Sequence, residues 1–382
     1  MFKVALIRQN NYLDCYNTLK RGFDALGGLE KFIKYGERIL IKPNLLMSVK
    51  SNCPAVTHPE IIKALLLIIK DFGAIPLIGD SPGRGTVEKV LNNMNLLDFL
   101  KTENIRIVDC TTPITKKINF NNREIKHTFF KGVNNADKIW TIAKLKTHGQ
   151  MFYTGAIKNL FGLVPGALKP ELHFKYPDNW KFADMIVDIF QLAQPAFAII
   201  DAIIAMEGNG PGSGEPKNLN CLIMSENALA ADMCAIKMIN YKTEDIPIID
   251  LAIKRKILGP QNYNEITILG EPLENFIDLN FKKVRQESKI TTFFGAPIIG
   301  KILKPLILSK PIINFDKCIK CNHCNEICHP KAIKLNNQTN KMKIDYLKCI
   351  RCYCCQEICP VGAIKIYKPP LLKSIDELIK KL

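Results

Sequence analysis

The first 290 residues alternate short runs of β-branched and aliphatic residues with longer runs whose apolar residues recur at helical spacing. This alternation is typical of an α/β fold with a largely parallel sheet and flanking helices, because a helix connects one parallel strand to the next. The pattern predicts strands at residues 4–8, 38–42, 75–78, 105–108, 138–143, 198–201, 220–224 and 266–269. It predicts helices at residues 17–29, 58–71, 183–192 and 228–239, so we expect an α/β domain over residues 1–290.

The pattern changes after residue 290. Residues 291–313 are apolar and interrupted by prolines, which predicts a linker packed along the sheet domain. Residues 314–368 contain an internal duplication, in which Lys317-Cys318-Ile319-Lys320-Cys321 matches Lys348-Cys349-Ile350-Arg351-Cys352. We therefore expect a small second domain over this range. Residues 369–382 predict a C-terminal helical tail with a capping box that begins at Ser374.

Nine of the fourteen cysteines lie between residues 318 and 359, in two runs with the spacing C-x2-C-x2-C-x3-C. Bacterial-type ferredoxins bind 4Fe-4S clusters with this spacing, and the fourth cysteine of each run binds the cluster of the other run. The duplication therefore predicts a small α+β ferredoxin-like domain with two 4Fe-4S clusters. The predicted ligands are Cys318, Cys321, Cys324 and Cys359 for one cluster, and Cys349, Cys352, Cys355 and Cys328 for the other.

Two other uses of these cysteines are disfavoured. A disulfide framework requires an oxidising compartment and an even number of cysteines, whereas this region has an odd number and no export signal precedes it. Zinc sites use two C-x2-C pairs separated by a longer span. Cys354 lies outside the repeated spacing and is predicted to be a packed thiol. The same prediction applies to Cys15, Cys53, Cys110, Cys221 and Cys234, although Cys53 lies in a polar loop.

The chain of 382 residues has a formal net charge of +17. Two clusters with four thiolates each carry about two negative charges apiece, which leaves roughly +13. The lysines are scattered singly, without the basic stripe that nucleic-acid binding requires, so no nucleic acid is predicted as a partner. Most of this charge is predicted to be solvated surface. We expect a smaller part to attract an acidic, low-potential electron donor such as a ferredoxin or flavodoxin.

The N-terminus lacks the charged and apolar regions of a secretory signal and is predicted to form a strand. No stretch reaches about eighteen uninterrupted apolar residues, so no membrane span is predicted. The sequence therefore favours a cytoplasmic protein in a reducing compartment, where exposed clusters survive.

Four predicted strands end in polar or glycine-rich segments, at residues 42–44, 79–85, 144–150 and 207–214. Ligands of open α/β sheets bind beyond the carboxyl ends of the strands, so these segments predict an active site for a small carboxylate or phosphate. Catalytic roles are predicted for Asp80, Lys146, His148, Lys158 and Glu207. Binding of the anionic substrate or cofactor is predicted for Lys42, Asn44, Gly79, Ser81, Gly83 and Gly210, with further positive charge from Lys144.

Ser81 and Pro82 could begin a helix after the third strand, with Ser81 as its cap and free amides that attract the anion. The simpler alternative is that the glycines at residues 79–85 only permit a tight turn. The segment at residues 208–214 lacks the G-K-[ST] ending of a P-loop and the full G-x-G-x-x-G pattern, so these two kinds of nucleotide site are disfavoured. His58 precedes Pro59 and could simply cap a helix, whereas His127 and His173 have no comparable context. Whether a flavin binds is left open.

Several motifs together resemble the uncharacterised family catalogued as domain of unknown function 362. They are Lys42-Pro43-Asn44-Leu45, Thr57-His58-Pro59-Glu60, Gly79-Asp80-Ser81-Pro82-Gly83, Lys144-Leu145-Lys146-Thr147-His148, Gly155-Ala156-Ile157-Lys158-Asn159, and Asp201-Ala202 with Glu207-Gly208-Asn209-Gly210-Pro211. The resemblance covers about residues 1–290, and members of this family often carry a C-terminal ferredoxin module with two clusters. It implies no particular reaction.

Three functions follow from these features. The leading hypothesis is an iron–sulfur oxidoreductase that passes electrons through both clusters to a small anionic substrate or cofactor at the strand ends. The second is an electron-transfer subunit whose α/β domain docks a partner enzyme. The third is a non-redox enzyme whose clusters are structural or sensory.

Overall fold

The computed structural model of the chain describes residues 1–48, 53–83, 85–120, 122–257, 259–284, 309–367 and 369. Most of the predicted linker and the predicted tail helix after Ser374 lie outside these residues. The strands of the α/β part are β1 (Phe2–Arg8), β2 (Arg38–Pro43), β3 (Ile75–Ile78), β4 (Arg106–Ile107), β5 (Pro113–Phe120), β6 (Arg123–Phe130), β7 (Lys138–His148), β8 (Phe152–Thr154), β9 (Phe197–Glu207), β10 (Glu215–Ser225) and β11 (Ile266–Gly270).

The helices of this part flank the strands. They are α1 (Cys15–Leu26), α2 (Pro59–Asp71), α3 (Val87–Asn93), α4 (Leu97–Thr102), α5 (Ala156–Asn159), α6 (Lys169–Lys175), α7 (Asn179–Ala193), α8 (Ala228–Met238) and α9 (Pro247–Lys254). His58 caps α2 through Nδ1, which accepts a hydrogen bond from the Glu60 amide, and Pro59 occupies the first turn. Among the described residues no helix combines the length and the apolar character that a membrane span requires.

The large sheet has the order β11-β1-β10-β9-β7-β2-β3-β4, and β8 pairs with β7 beside this path. Within the path β10 is antiparallel to both of its neighbours, and the remaining pairings are parallel. The predicted fold class is therefore confirmed. Aromatic side chains fill the space under the sheet, where the Trp140 and Phe197 rings lie 4.9 Å apart on the adjacent strands β7 and β9.

Residues 309–367, which we call the C-terminal module, contain four short strands and two short helices. The strands are β12 (Lys310–Ile313), β13 (Ile333–Asn336), β14 (Lys341–Ile344) and β15 (Ile364–Tyr367), and the helices are α10 (His323–Glu326) and α11 (Cys354–Glu357). β12 pairs with β15 and β13 pairs with β14, both antiparallel. The two helices occupy equivalent positions in the two halves of the duplication.

The structure corrects the predicted helix start at Ser81. The chain stays non-helical after β3 until Val87, and α3 is capped by Thr86, whose hydroxyl accepts a hydrogen bond from the Lys89 amide. The Ser81 hydroxyl instead accepts a hydrogen bond of 2.7 Å from the Gly166 amide. Ser81 therefore joins two loops and caps no helix.

Candidate active site between the sheet and the C-terminal module

The sheet order places β9, β7, β2 and β3 side by side and parallel, so their carboxyl ends meet at one edge. A cavity of about 100 Å³ lies at this edge. We call it the lysine cavity, because its described lining includes Lys42, Lys146, Lys158 and Lys169. The structure brings eight of the predicted site residues together there: Lys42, Asn44, Asp80, Ser81, Gly83, Lys146, His148 and Lys158.

Lys42 forms the centre of a buried polar network. Its Nζ lies 2.8 Å from Asp80 Oδ1 and donates hydrogen bonds of 2.8 Å to Asn159 Oδ1 and to the Pro43 carbonyl. Burial lowers the pKa of Lys42, while the Asp80 carboxylate acts in the opposite direction. An ammonium group has three donors, and all three are used here. Lys42 therefore holds the strand ends together and has no donor left for a ligand.

Gly162 allows this network to form. A Cβ atom at this position would lie 2.1 Å from Asp80 Oδ1 and 2.4 Å from Lys42 Nζ. Only glycine leaves room for the buried ion pair against the backbone at this point.

Lys146 lies beside this network and is also buried. Its Nζ donates hydrogen bonds to Asn44 Oδ1 at 2.8 Å and to the Ala55 carbonyl at 2.5 Å. Burial, and next the charge of Lys158, lower the pKa of Lys146 to about 7. A group with this pKa exchanges a proton readily near neutral pH, which is what a general acid or base requires.

Lys158 and Lys169 are half-buried and have few partners. Lys158 forms no hydrogen bond or ion pair with another described residue, and its Nζ lies 5.0 Å from the centre of the Phe161 ring. Lys169 donates a hydrogen bond to the Ser81 carbonyl. Burial lowers the pKa of both groups, and the pKa of Lys169 falls to about 7.

The short helix α5 positions Lys158. The buried carboxylate of Asp232, on α8, accepts hydrogen bonds from the Ala156 amide at 2.7 Å and the Ile157 amide at 2.9 Å. The Tyr153 hydroxyl donates a third bond of 2.9 Å. Burial raises the pKa of Asp232 to about 6 despite these bonds. Asp232 thus satisfies the free amides of the first turn and fixes the direction in which α5 presents Lys158.

The C-terminal module closes the other side of the lysine cavity with Ile327, Cys354, Glu357 and Ile358. His148 Nδ1 accepts hydrogen bonds from the Gln150 and Met151 amides, so a neutral ring carries its proton on Nε2. This Nε2 lies 3.0 Å from Glu357 Oε1. Burial lowers the pKa of His148. Burial raises the pKa of Glu357, but the contact with His148, followed by the influence of His173 and Lys158, outweighs this effect and lowers the pKa to about 2.

Several close contacts hold the module against the sheet. Gln356 Nε2 donates hydrogen bonds to the carbonyls of Asn209, at 3.1 Å, and Gly210, at 3.0 Å. A Cβ atom at Gly212 would lie 2.8 Å from the Glu357 carbonyl oxygen. The His329 ring stacks on Phe174, with ring centres 4.6 Å apart. The glycine-rich segment after β9 therefore serves as the surface on which α11 rests.

Three residues predicted for binding or catalysis have other surroundings. The Gly210 amide donates a hydrogen bond of 3.2 Å to Thr147 Oγ1, and the Gly210 carbonyl accepts the bond from Gln356 described above. Glu207 accepts a hydrogen bond of 2.9 Å from the Lys282 amide. A Cβ atom at Gly79 would lie 2.6 Å from a Val108 methyl group, so this glycine allows close packing of the core. Lys144 likewise lies 2.8 Å from Asp201 Oδ2 in a buried ion pair.

The cavity also contains residues that the sequence did not single out. Lys169 and His173 come from α6, and His173 is 4% exposed with no hydrogen-bond partner for Nδ1 among the described residues. Burial lowers the pKa of His173 to about 3. Glu357 comes from the C-terminal module. The spacing of Lys169 and His173, four residues apart, places both on one face of a helix, and this was the available signal.

The first predicted set of cluster ligands lines one small cavity. Cys318, Cys321, Cys324 and Cys359 surround it together with Ile319 and Val361. The Cys359 sulfur accepts a hydrogen bond of 3.2 Å from the Ala363 amide, and the equivalent Cys328 sulfur accepts one of 3.2 Å from the Ala332 amide. Hydrogen bonds of this kind stabilise cluster thiolates.

The second predicted set is also close together. Burial raises the pKa of the Cys355 thiol, and so do the neighbouring sulfurs, which are Cys352, Cys349 and Cys328 of the same set and Cys324 of the first set. Among the described residues, no three His, Cys, Asp or Glu side chains converge tightly enough to hold a single metal ion. In a cubane each cysteine binds a different iron, so the four sulfurs of a set need not converge on one point. Cys354 points instead toward the lysine cavity.

A mostly parallel sheet with polar strand ends, joined to a module of paired cysteine runs, defines an α/β iron–sulfur protein. The chain belongs to the family described as "Domain of unknown function (DUF362)", whose model matches residues 39–237. A 4Fe-4S dicluster domain matches residues 317–363. The predicted family and the predicted cluster-binding domain are both confirmed.

Two known proteins show what the chain is similar to. A thylakoid-associated protein of Synechocystis sp. is 31% identical over 280 residues, which cover 72% of this chain and 86% of the relative. The lactate racemase apoprotein from Thermoanaerobacterium thermosaccharolyticum has a similar structure over 62% of this chain and 57% of its own, with 13% identity and a TM-score of 0.41. A similarity at the latter level assigns neither fold nor function.

Proposed function

We propose that the protein is an oxidoreductase that passes electrons through two 4Fe-4S clusters to a small anionic substrate or cofactor in the lysine cavity. The observation that supports this proposal is the shared wall of that cavity. Ile327, Cys354 and Ile358 line it, and each is adjacent in sequence to a predicted cluster ligand. A ligand in the cavity would therefore lie next to the backbone that holds the clusters.

When bound, the clusters supply single electrons at low potential. The side chains of the cavity would bind the acceptor and handle its protons. Lys158 has the freest ammonium group among the described lining residues and is the proposed anion-binding group. Lys146 is the proposed proton donor, because its pKa of about 7 allows transfer near neutral pH. His148 would hold Glu357 and so keep the module closed over the bound ligand.

Electrons would enter the C-terminal module at a second opening, which lies beside the first cysteine set. The cavity of the first cysteine set is bordered by Ile319 and Val361, which are 62% and 38% exposed. Lys320 borders the same opening, and Lys341 Nζ lies 5.1 Å from the centre of the nearby Phe315 ring. An apolar patch with a basic rim suits an acidic, low-potential electron protein such as a ferredoxin or flavodoxin.

The test is reoxidation of the reduced protein by a panel of small anionic acceptors. The protein is isolated anaerobically, its clusters are reduced, and the recovery of their visible absorbance is followed after each acceptor is added. We expect at least one acceptor to reoxidise the clusters, and Lys146→Ala or His148→Ala to abolish this with both clusters still reducible. Unchanged reoxidation in both variants would contradict the proposed site. Clusters that a low-potential donor cannot reduce would favour a structural or sensory role.

A further inference from the structure

The charges that line the lysine cavity are not balanced. Among the described lining residues, four lysines face two carboxylates, Asp80 and Glu357. Asp80 is already occupied by Lys42 at 2.8 Å. Glu357 lies beside His148, and its Oε1 has no hydrogen-bond partner of good geometry among the described residues. When all four lysines are protonated, the described lining therefore has an excess of two positive charges in a partly desolvated space.

We infer that the lysine cavity binds a small dianion, a molecule with two acidic groups such as a dicarboxylate, held by Lys158 on one side and Lys169 on the other. This inference deepens the proposed function and relies on it for the role of the site. Lys158 forms no hydrogen bond with a described residue, and Lys169 donates only to the Ser81 carbonyl among them, so both retain free donors. Lys146 also has one donor beyond its bonds to Asn44 and Ala55.

The unpaired polar groups in the wall favour the same ligand chemistry. Thr154 Oγ1 and His173 Nδ1 are buried and have no hydrogen-bond partner among the described residues, and both residues line the cavity. Buried polar groups require partners, which a polar ligand or its waters would supply. A cavity of about 100 Å³ fits a few carbon atoms with two acidic groups and is too small to enclose a nucleotide. Burial, and to a smaller extent repulsion among the lysines, lowers the pKa of Lys146 and Lys169, and a dianion would relieve this repulsion.

The test measures binding by calorimetry to the anaerobic, cluster-loaded protein. Succinate and inorganic sulfate are the dianionic probes, and butyrate is the monoanion matched to succinate in length. We expect a dianion to bind at least about tenfold more tightly than butyrate, because the second acidic group forms its own charge-assisted hydrogen bond. Equal affinities for succinate and butyrate, or no binding of either dianion, would overturn the inference.

The Lys158→Gln variant tests the anchor, with Lys117→Gln, an exposed lysine of the β5–β6 hairpin, as its control. We expect Lys158→Gln to weaken dianion binding about tenfold and Lys117→Gln to leave it unchanged. Equal dianion binding by the wild type and Lys158→Gln would overturn the assignment of Lys158 as the anchor. If Lys158→Gln does not load clusters, the comparison of succinate with butyrate in the wild type still tests the inference. Binding needs no turnover, so dianion binding without cluster reoxidation would count against the oxidoreductase alone. Reoxidation by neutral acceptors without any preference for dianions would count against this inference alone.

Discussion

His148 Nε2 lies 3.0 Å from Glu357 Oε1, and this contact joins the end of strand β7 to the last residue of α11, which lies between two predicted cluster ligands, Cys355 and Cys359. Both side chains are largely buried, with exposed fractions of 3% and 17%. A contact of this kind makes the two parts of the protein interdependent. The wall of the lysine cavity is complete only when the C-terminal module rests on the sheet.

Removing the Glu357 charge should loosen this arrangement. Glu357→Gln keeps the shape of the side chain but leaves the neighbouring lysines without a counter-charge, so we expect the protein to be about 3 kcal/mol less stable. The measurement is the denaturation midpoint of the anaerobic, cluster-loaded protein. Glu326→Gln is the matched control, because Glu326 occupies the equivalent position in the first half of the duplication and is exposed. Equal destabilisation by both substitutions would contradict the role given to Glu357.

The cysteine assignments predict a sharp difference between neighbouring positions. Cys359→Ser should remove one ligand and lower the iron and sulfide content of the anaerobically isolated protein. Cys354→Ser should leave that content unchanged, because the Cys354 side chain lines the lysine cavity and lies outside the repeated spacing. Iron and acid-labile sulfide are measured together with the visible spectrum. Loss of iron in the Cys354 variant would show that the assignment of the eight cysteines to two sets of ligands is wrong.

The affinity for a dianion should depend on pH. Burial, and next the charge of Lys158, lower the pKa of Lys146 to about 7, whereas Glu357 acts in the opposite direction. Burial, and to a smaller extent the charge of Lys42, lower the pKa of Lys169 to about 7, whereas Asp80 and Glu357 raise it. An anion favours the protonated ammonium form, so binding takes up protons and is strongest below pH 7. We therefore expect succinate affinity to fall as the pH rises from about 6.5 to 8, a range in which succinate is mainly the dianion. Calorimetry in buffers of different ionisation enthalpy would detect the proton uptake, and a constant affinity across this range would contradict it.

The polar residues at the strand ends could be predicted from the sequence, because they follow directly after buried hydrophobic runs. Buried runs that end in Lys42, Asp80 and Lys146 identify polar groups at carboxyl ends, and parallel pairing brings such ends together. The position of β10 between β1 and β9 could not be read, since it depends on long-range pairing. The hairpin of β5 and β6 shows strict alternation of exposed and half-buried residues in β5, yet it was not predicted. Alternation over one short strand is a weak signal until its partner is known.

The other half of the site lay beyond sequence reasoning for a physical reason. Glu357 belongs to a cysteine-rich helix whose sequence pattern is explained by cluster binding. Nothing in the neighbouring sequence indicates that its partner is His148, which lies 209 residues earlier in the chain. Gly210 was expected to offer its amide to a ligand, but that amide bonds to Thr147, and the loop supports α11. The failed helix start at Ser81 has the same origin. A hydroxyl beside a proline is typical of a helix cap, but the Ser81 hydroxyl accepts its hydrogen bond from the Gly166 amide of a distant loop.

Reduction by an acidic electron protein should slow with added salt. The opening over the first cysteine set combines exposed Ile319 with Lys320, so long-range attraction would speed the encounter and screening would remove this gain. Stopped-flow reduction by a ferredoxin or flavodoxin measures the effect. Lys320→Gln should reduce the rate and flatten the salt dependence, whereas Lys117→Gln should not. A rate that does not change with ionic strength in the wild type would exclude electrostatic docking.

The most direct test of the whole account is the midpoint potential of the clusters with and without a dianion in the lysine cavity. Two negative charges next to the cluster-binding loops would disfavour an added electron, so saturating succinate should lower the potential of at least one cluster by roughly tens of millivolts. Potentiometric titration of the anaerobic protein, followed by electron paramagnetic resonance, measures this shift. We predict a lower potential in the wild type, and in Lys158→Gln a shift that requires about tenfold more succinate. An unchanged potential in wild-type protein that has been shown to bind succinate would contradict the claim that the ligand lies beside the clusters.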